Sequence, residues 1–321
     1  GSVCVAGDVA VVGASHATRS SGGLYGGAAY VYARNAGGIE NWGQVKKVEP
    51  SDGPAVMGFG SCVSMAGDVL AVSGWLTNSG RSVTYVCERD VGGDGNWGEV
   101  KRLPAIDRGS IDYGSQVISV AGDVVVVGAH REDGVPGAAY VYERNAGGTE
   151  NWGEVKKLQP SDGAEGNLFG ISVSGAGDVI VVGAMYANEY TGAAYIYARN
   201  AGGTNNWGEV KKLVASDAAN EDWFGYAVAA SCDAVVVGAK LKAEPSVGQY
   251  VGAAYVYERN AGCTNNWGDV RKQQASDRDW STGHGFGQSV AMAGDVTVVG
   301  ASGDAYIYTE VGGWNTPEWF G

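Results

Sequence analysis

The sequence predicts an all-β chain built from six successive four-stranded sheets, and three observations carry that expectation. First, a tryptophan recurs at Trp42, Trp97, Trp152 and Trp207, 55 residues apart each time, and again at Trp267 and Trp314. Second, the same words return between the tryptophans: a Gly-Asp pair, a run such as VVVVGA, then AAYVYERNAGG. Third, 54 of the 321 residues are glycine, more than twice the usual share of about 7%, and they follow no three-residue period. Repeats of about 40–50 residues that carry four short strands define a β-propeller.

Each unit is read as strands A to D, and the fourth copy is the fullest. Strand A is the segment Phe169 to Ala176. Gly177-Asp178 is a two-residue turn, because both residue types tolerate the positive φ that such hairpins need. Strand B, Val179 to Ala184, is apolar at every position, which implies cover on both faces. Strand C follows from Ala193 to Arg199. Asn200-Ala201-Gly202-Gly203 is a turn-rich connection. Strand D runs from Trp207 to about Leu213 and carries a central Val-Lys-Lys. Basic pairs of this kind after Val45, Val100, Val155, Val210 and Val270 are read as a solvated outer edge, where Lys blocks edge-to-edge pairing.

The turn element recurs at Asp8, Asp68, Asp123, Asp178, Asp233 and Asp295, with Cys232 replacing the glycine of the fifth copy. This gives one domain over 1–321, with blades at about 1–52, 59–107, 113–162, 169–217, 224–277 and 286–321. The last unit is short, and Trp314 to Phe320 reads as a truncated outer strand. Ring closure then rests on the first blade packing against the last. Closure with seven blades, one of them missing, is the alternative.

Phe59-Gly60, Phe169-Gly170, Phe224-Gly225 and Phe286-Gly287, with Tyr113-Gly114 in the third unit, open the repeats. Together with GDVVVVGA and GAAYVYERN they resemble the FG-GAP repeats of integrin-type β-propellers, most closely the short-loop bacterial-type branch. The resemblance spans Ser2 to about Phe320. It implies an extracellular or cell-surface protein. Integrin-type repeats often carry a calcium loop between strands A and B. A calcium ion takes about 6–8 oxygen ligands, and a two-residue turn cannot supply them. The family's calcium sites are therefore not carried over, and no cofactor is expected.

The chain has 22 basic and 35 acidic residues, a net charge of −13. That argues against nucleic acid and anionic membrane as partners. No run of 18 apolar residues is present to span a membrane as a helix. Five cysteines, Cys4, Cys62, Cys87, Cys232 and Cys263, occupy different repeat positions, so no repeated disulfide framework is read. Asp52, Asp107, Asp162, Asp217 and Asp277 recur after strand D. They are read as caps of the D–A turn, with a weakly held cation as the other reading.

Comparison of the copies separates two rims. The A–B and C–D connections are nearly uniform, whereas the B–C and D–A loops share almost nothing. Binding residues concentrate on varied loops held by a rigid scaffold. Aromatics fall in those loops at Tyr25, Trp75, Tyr186, Tyr190, Trp223, Tyr250 and Trp280. Such side chains stack on sugars or anchor protein contacts; the competing reading is that they plug a central channel. His16, His130, Arg131, Glu132, Asp133 and His284 would add polar contacts. No HExxH, GxSxG, P-loop or CxxC pattern accompanies them. The expectation is a non-enzymatic recognition module for a protein or glycan. One alternative is a building block of a surface layer, sheath or filament that self-associates. The other is a hydrolase or lyase with its site at the central channel.

Overall fold

The computed structural model describes residues 2–20, 26–104, 117–130, 136–149, 151–244, 249–261, 265–275, 285–309 and 317–320. The chain folds as a β-propeller of six antiparallel four-stranded blades, with strands in sequence order A-B-C-D in each. Among the described residues the only helix is one 3-10 turn, Gly53–Ala55. Two compact units share the chain: Gly1–Asp133 with Tyr140–Lys157, and Gly134–Ala139 with Leu158–Gly321.

The first unit carries blade 1 (Val3–Ala6, Val9–Ala14, Ala28–Ala33, Gly43–Val48) and blade 2 (Val63–Ala66, Val69–Leu76, Ser82–Arg89, Trp97–Arg102). In blade 2 an extra two-residue strand, Val56–Met57, pairs with the end of strand B. Blade 3 follows (Val117–Ala121, Val124–Ala129, Ala138–Glu143, Gly153–Leu158). The second unit carries blade 4 (Phe169–Ala176, Val179–Ala184, Ala193–Ala198, Gly208–Leu213) and blade 5 (Phe224–Ala230, Ala234–Ala239, Ala253–Glu258, Gly268–Gln273). Blade 6 comprises Ser289–Ala293, Val296–Gly300, Ala305–Thr309 and Pro317–Phe320. Its short outer strand pairs Tyr306 with Trp319, as the sequence predicted.

The A–B turns follow from glycine. Gly7, Gly67, Gly122, Gly177 and Gly294 have φ between 55° and 59°, which suits the first central position of a type II′ hairpin turn. Blade 5 solves the turn differently. Cys232 is not in the left-handed region, and Ser231 closes the bend: its N–H donates to the Ala234 carbonyl at 2.8 Å and its Oγ accepts from the Ala234 N–H at 3.1 Å.

Interior strand B is buried throughout, as in Val124–Ala129 and Val179–Ala184. Neighbouring blades supply the cover. Val228 and Ala230 of blade 5 pack in one core cluster with Val179, Val181, Ala194 and Ile196 of blade 4. Val63 and Met65 of blade 2 do the same with Val9, Val11, Ala29 and Val31 of blade 1. Phe59, Phe169, Phe224 and Phe286 are fully buried, and Phe59, Phe224 and Phe286 each form a parallel bridge to a glycine of the preceding blade: Gly27, Gly192 and Gly252.

The basic pairs of strand D correct the solvated-edge expectation. Adjacent residues of a strand point to opposite faces, and Lys211 and Lys212 stand in regular register opposite Ile196 and Tyr195, so the two lysines reach in different directions. The first reaches the next blade: Lys46, Lys101 and Lys211 donate to Asn96, Asn151 and Asn266 at 2.7, 2.7 and 3.1 Å. That asparagine also closes its own C–D loop, since Asn151 Nδ2 donates to the Gly147 carbonyl at 2.7 Å. The uniform C–D loops thus carry links between blades.

The second basic residue reaches back to the aspartate that follows the preceding blade. Lys212 meets Asp162 at 2.6 Å, Lys272 meets Asp217 at 2.7 Å and Arg102 meets Asp52 at 2.7 Å. The same carboxylates accept from Tyr195, Tyr255 and Tyr85 at 2.9, 2.5 and 2.7 Å. The recurring aspartate is therefore a latch onto the next blade, with partners far from its own turn. Asp107 and Asp277 lie outside the described residues.

Trp97, Trp152, Trp207 and Trp267 are buried, and Trp152 Nε1 donates to Glu88 of the preceding blade at 2.8 Å. Cys4, Cys62, Cys87 and Cys232 are free thiols. Burial pushes the Cys87 thiol up to about 12. Cys263 and Trp314 lie outside the described residues.

Candidate functional site

Three of the rim aromatics come together, all in the second unit. Tyr186 and Tyr190 stand on the B–C loop of blade 4, and Trp223 ends the D–A loop that enters blade 5. The ring centroids of Tyr186 and Tyr190 are 5.1 Å apart, and those of Tyr186 and Trp223 are 5.8 Å apart, both edge to face. With Glu221 and Leu241 they line an open cleft of about 440 Å³. Tyr190 is 52% exposed, and Trp223 and Tyr186 are half-buried.

Sequence reasoning missed the floor of this cluster. Tyr226 stacks on Trp223 with centroids 6.2 Å apart and planes 11° apart. Lys240 Nζ lies 4.6 Å from the centre of the Tyr226 ring, at cation–π distance. Tyr226 follows Phe224-Gly225 on strand A, a strand read as scaffold. The signal was present: Ser61, Ile171 and Gln288 hold that place in other blades, and only this copy has an aromatic there.

The backbone of the cluster is held in costly conformations. Asn188, Glu189 and Tyr190 are all left-handed, with φ of 52°, 55° and 67°. Glu221 and Trp223 have φ of 65° and 56°. The position before Phe-Gly is left-handed in other blades too, where Gly58 and Gly285 occupy it at 61° and 55° and Leu168 of blade 4 at 55°. A tryptophan in this conformation costs of order 1–2 kcal/mol. Residues held in such wells cluster at functional sites.

Two polar anchors fix the loops. Lys212 Nζ donates to Asn188 Oδ1 at 2.7 Å, tying the B–C loop to strand D. Behind Trp223, Asp222 is buried and accepts from Lys242 at 2.8 Å and from the Ala219 N–H at 2.7 Å. Lys242 also donates to the Asp217 carbonyl. Asp222 is thus a buried support of the loop.

The remaining expected residues are dispersed or lie elsewhere. Trp75 packs its ring against Gly58, where a Cβ would stand 1.8 Å from the indole; it closes that turn. Tyr250 is 49% exposed on a two-residue strand that pairs with Ala243–Glu244. His16 is exposed, with Nδ1 3.0 Å from Ser15 Oγ. His130 is buried, at 6% exposed. Tyr25, Arg131, Glu132, Asp133, Trp280 and His284 lie outside the described residues. Among the described residues no three His, Cys, Asp or Glu side chains gather as a metal site.

A larger hollow, about 630 Å³, opens among A–B turns of the second unit, lined by Ala176, Ser231, Cys232, Arg259 and Met292 among others. Its arginine is occupied: Arg259 binds Asp178 through two nitrogens, at 3.0 and 2.8 Å. It holds no aromatic side chain. The smaller aromatic cleft has the better chemistry for a ligand.

FG-GAP repeat models match residues 42–84, 97–142, 152–197, 207–257 and 267–312. The chain belongs to the FG-GAP repeat family. The first four matched segments begin at strand D of one blade and end in strand C of the next, and the fifth runs from strand D of blade 5 to just past strand C of blade 6. The sequence repeat is one strand out of phase with the blade: Asp162 and Tyr195 fall in one matched segment, and Lys212, which completes their latch, falls in the next. No curated protein matches the chain. Solved structures share the fold. The Neurospora crassa Pan2 WD40 domain aligns at TM-score 0.53 and 11% identity, over 99% of this chain and 77% of that one. Sqt1 from Chaetomium thermophilum aligns at 0.52 and 12%, over 96% and 68%. YjhT aligns at 0.50 and 12%, over 100% and 96%.

Proposed function

We infer that the chain is a non-enzymatic recognition module, extracellular or at a cell surface, that binds a glycan at the cleft of Tyr186, Tyr190 and Trp223. One observation carries the reading: Trp223 stacks on Tyr226 and meets the edge of Tyr186, which in turn packs on Tyr190, around an open cleft. Flat aromatic faces with polar tips suit ligands that are apolar on one face and wet on the other. The Glu221 carboxylate at the rim of the cleft accepts hydrogen bonds from hydroxyls. The cleft needs no cofactor for this chemistry, and the net charge of −13 disfavours polyanionic ligands.

The test is a glycan-array screen of the labelled chain, followed by calorimetry on the best hit. Selective binding that falls at least tenfold in both Trp223→Ala and Tyr190→Ala supports the reading. Binding that survives both substitutions removes this cleft. A blank array with folded protein shifts the cleft to protein recognition.

A further inference from the structure

The cleft of Tyr186, Tyr190 and Trp223 carries acid as well as rings. The latch and support aspartates of this unit are matched by cations: Asp162 by Lys212, Asp217 by Lys272 and Asp222 by Lys242, at 2.6–2.8 Å. The two glutamates of the cleft loops are not. Glu221 lines the cleft beside Trp223, and Glu189 adjoins Tyr190 on the B–C loop of blade 4. Both are exposed, and neither has a cationic partner among the described residues.

The backbone holds Glu221 and Trp223 as a pair. They flank Asp222, which is pinned three ways. Its side chain accepts from Lys242 and from the Ala219 N–H, at 2.8 and 2.7 Å, and its carbonyl accepts from the Leu241 N–H at 3.1 Å. Leu241 is itself part of the cleft wall. Carboxylate and indole are thus presented together before any ligand arrives, which lowers the ordering cost of binding.

The rings add a second attraction for positive charge. The face of a Trp or Tyr ring is electron-rich and attracts an ammonium. The cluster already does this with a group of its own: Lys240 Nζ sits 4.6 Å from the centre of the Tyr226 ring, and Tyr226 stacks on Trp223. Lys240 also reaches the Tyr226 hydroxyl at 3.4 Å, and it is not part of the cleft lining. Among the described residues no lysine or arginine lies over Tyr186, Tyr190 or Trp223.

Aromatic faces with an unmatched carboxylate at one edge complement a protonated amine carried on an apolar ring. A neutral sugar uses the faces alone. An acidic sugar is repelled by Glu221 and by the net charge of −13. We propose that the glycan taken by this cleft is an amino sugar with its amine free, the ammonium pairing with the Glu221 carboxylate while the pyranose ring lies against the aromatic faces. This rests on the glycan reading above and narrows it to one class.

Calorimetry of the full chain with three tetrasaccharides tests it: β-1,4-linked glucosamine, its fully N-acetylated counterpart, and β-1,4-linked glucose. The titrations are run at about pH 6, below the ordinary range of a free amine. The free-amine tetramer is expected to bind at least tenfold tighter than either neutral one. Raising salt from about 0.1 to about 1 M, which shortens the screening length from about 10 to about 3 Å, shrinks that preference. Glu221→Gln keeps the shape of the side chain and removes its charge, and the preference then falls to about threefold or less. An oligocation is also drawn to an acidic chain without any site. Glu221→Gln changes the net charge only from −13 to −12, so a preference that survives it comes from the whole surface and overturns the proposal. Equal binding of the three tetramers, or tighter binding of a neutral one, overturns it while leaving the glycan reading in place. If none of the three binds to folded protein, this inference falls, and the glycan array decides the broader reading.

Discussion

Lys242 Nζ stands 2.8 Å from Asp222 Oδ2, with the two side chains 6% and 1% exposed. This buried pair sits one residue behind Trp223 and fixes the loop that presents it. Its other oxygen, Oδ1, is buried and finds no hydrogen-bond partner among the described residues, so the carboxylate is only partly compensated. Removing one member of such a pair leaves an uncompensated charge. Asp222→Ala is expected to cost about 3 kcal/mol, read as a lower urea midpoint at unchanged slope. The double variant Asp222→Leu with Lys242→Met recovers most of that loss. Ligand binding at the cleft does not recover with it, because Trp223 loses its fixed approach.

Trp223 itself makes a second case. Alanine is normally preferred to glycine in folded backbone, by about 0.5–1 kcal/mol in regular structure. At φ 56° the order reverses, because a Cβ is strained there and glycine is not. Trp223→Gly is expected to be more stable than Trp223→Ala by about 1 kcal/mol, measured by denaturant unfolding of both. Both variants lose ligand. Equal stabilities would mean that the loop relaxes once the indole is gone.

Much of the fold was legible because its signals are local and repeated. The Gly-Asp turns need only a positive φ at one residue, and the continuous Val runs of strand B need only cover on two faces. The site was half legible. Tyr186, Tyr190 and Trp223 stood out as aromatics in varied loops, but nothing in the sequence says that these three meet while Trp75 packs away onto Gly58. Tyr226 was hidden by its place on a scaffold strand. The basic pairs were misread for a related reason: the partners of Lys211 and Lys212 lie on neighbouring blades, at Asn266 and Asp162, far away in sequence. Asp162 and Asp217 were read against their own turns, whereas their partners lie 33–55 residues away on the following blade.

Close approach of backbones sets a third expectation. A Cβ on Gly183 would stand 2.0 Å from the Gly225 carbonyl oxygen, and neither atom has a flexible side chain to move. Gly183→Ala is expected to destabilise by about 3 kcal/mol, the upper part of the overpacking range. Among the described residues a Cβ on its counterpart Gly300 meets only Ser289, whose hydroxyl rotates away, so Gly300→Ala is expected to cost less than Gly183→Ala. The pair of melts separates the demand of the interface from the demand of the strand, since both residues hold the same place in strand B.

The latches make stability depend on acid. The Lys212 ammonium holds the Asp162 carboxyl below its ordinary value, against the opposing effect of burial, with Tyr195 helping. Arg259 does the same for Asp178. For Asp217, burial acts upward, but Lys272, Tyr255 and Lys242 outweigh it and the net shift is downward. A carboxyl depressed in the folded state binds its proton more readily in the unfolded chain. Its contribution is therefore complete above the unfolded value, about 3.9 for Asp, and is lost as pH falls through the lower folded value. Unfolding free energy measured at 25 °C should be insensitive to these three groups between pH 6 and 8 and should fall steeply below about pH 4. Asp162→Asn removes one latch charge, so the variant starts lower at neutral pH and falls less steeply in acid. A variant curve parallel to wild type throughout the acid limb would show that the Lys212–Asp162 contact contributes nothing to that slope.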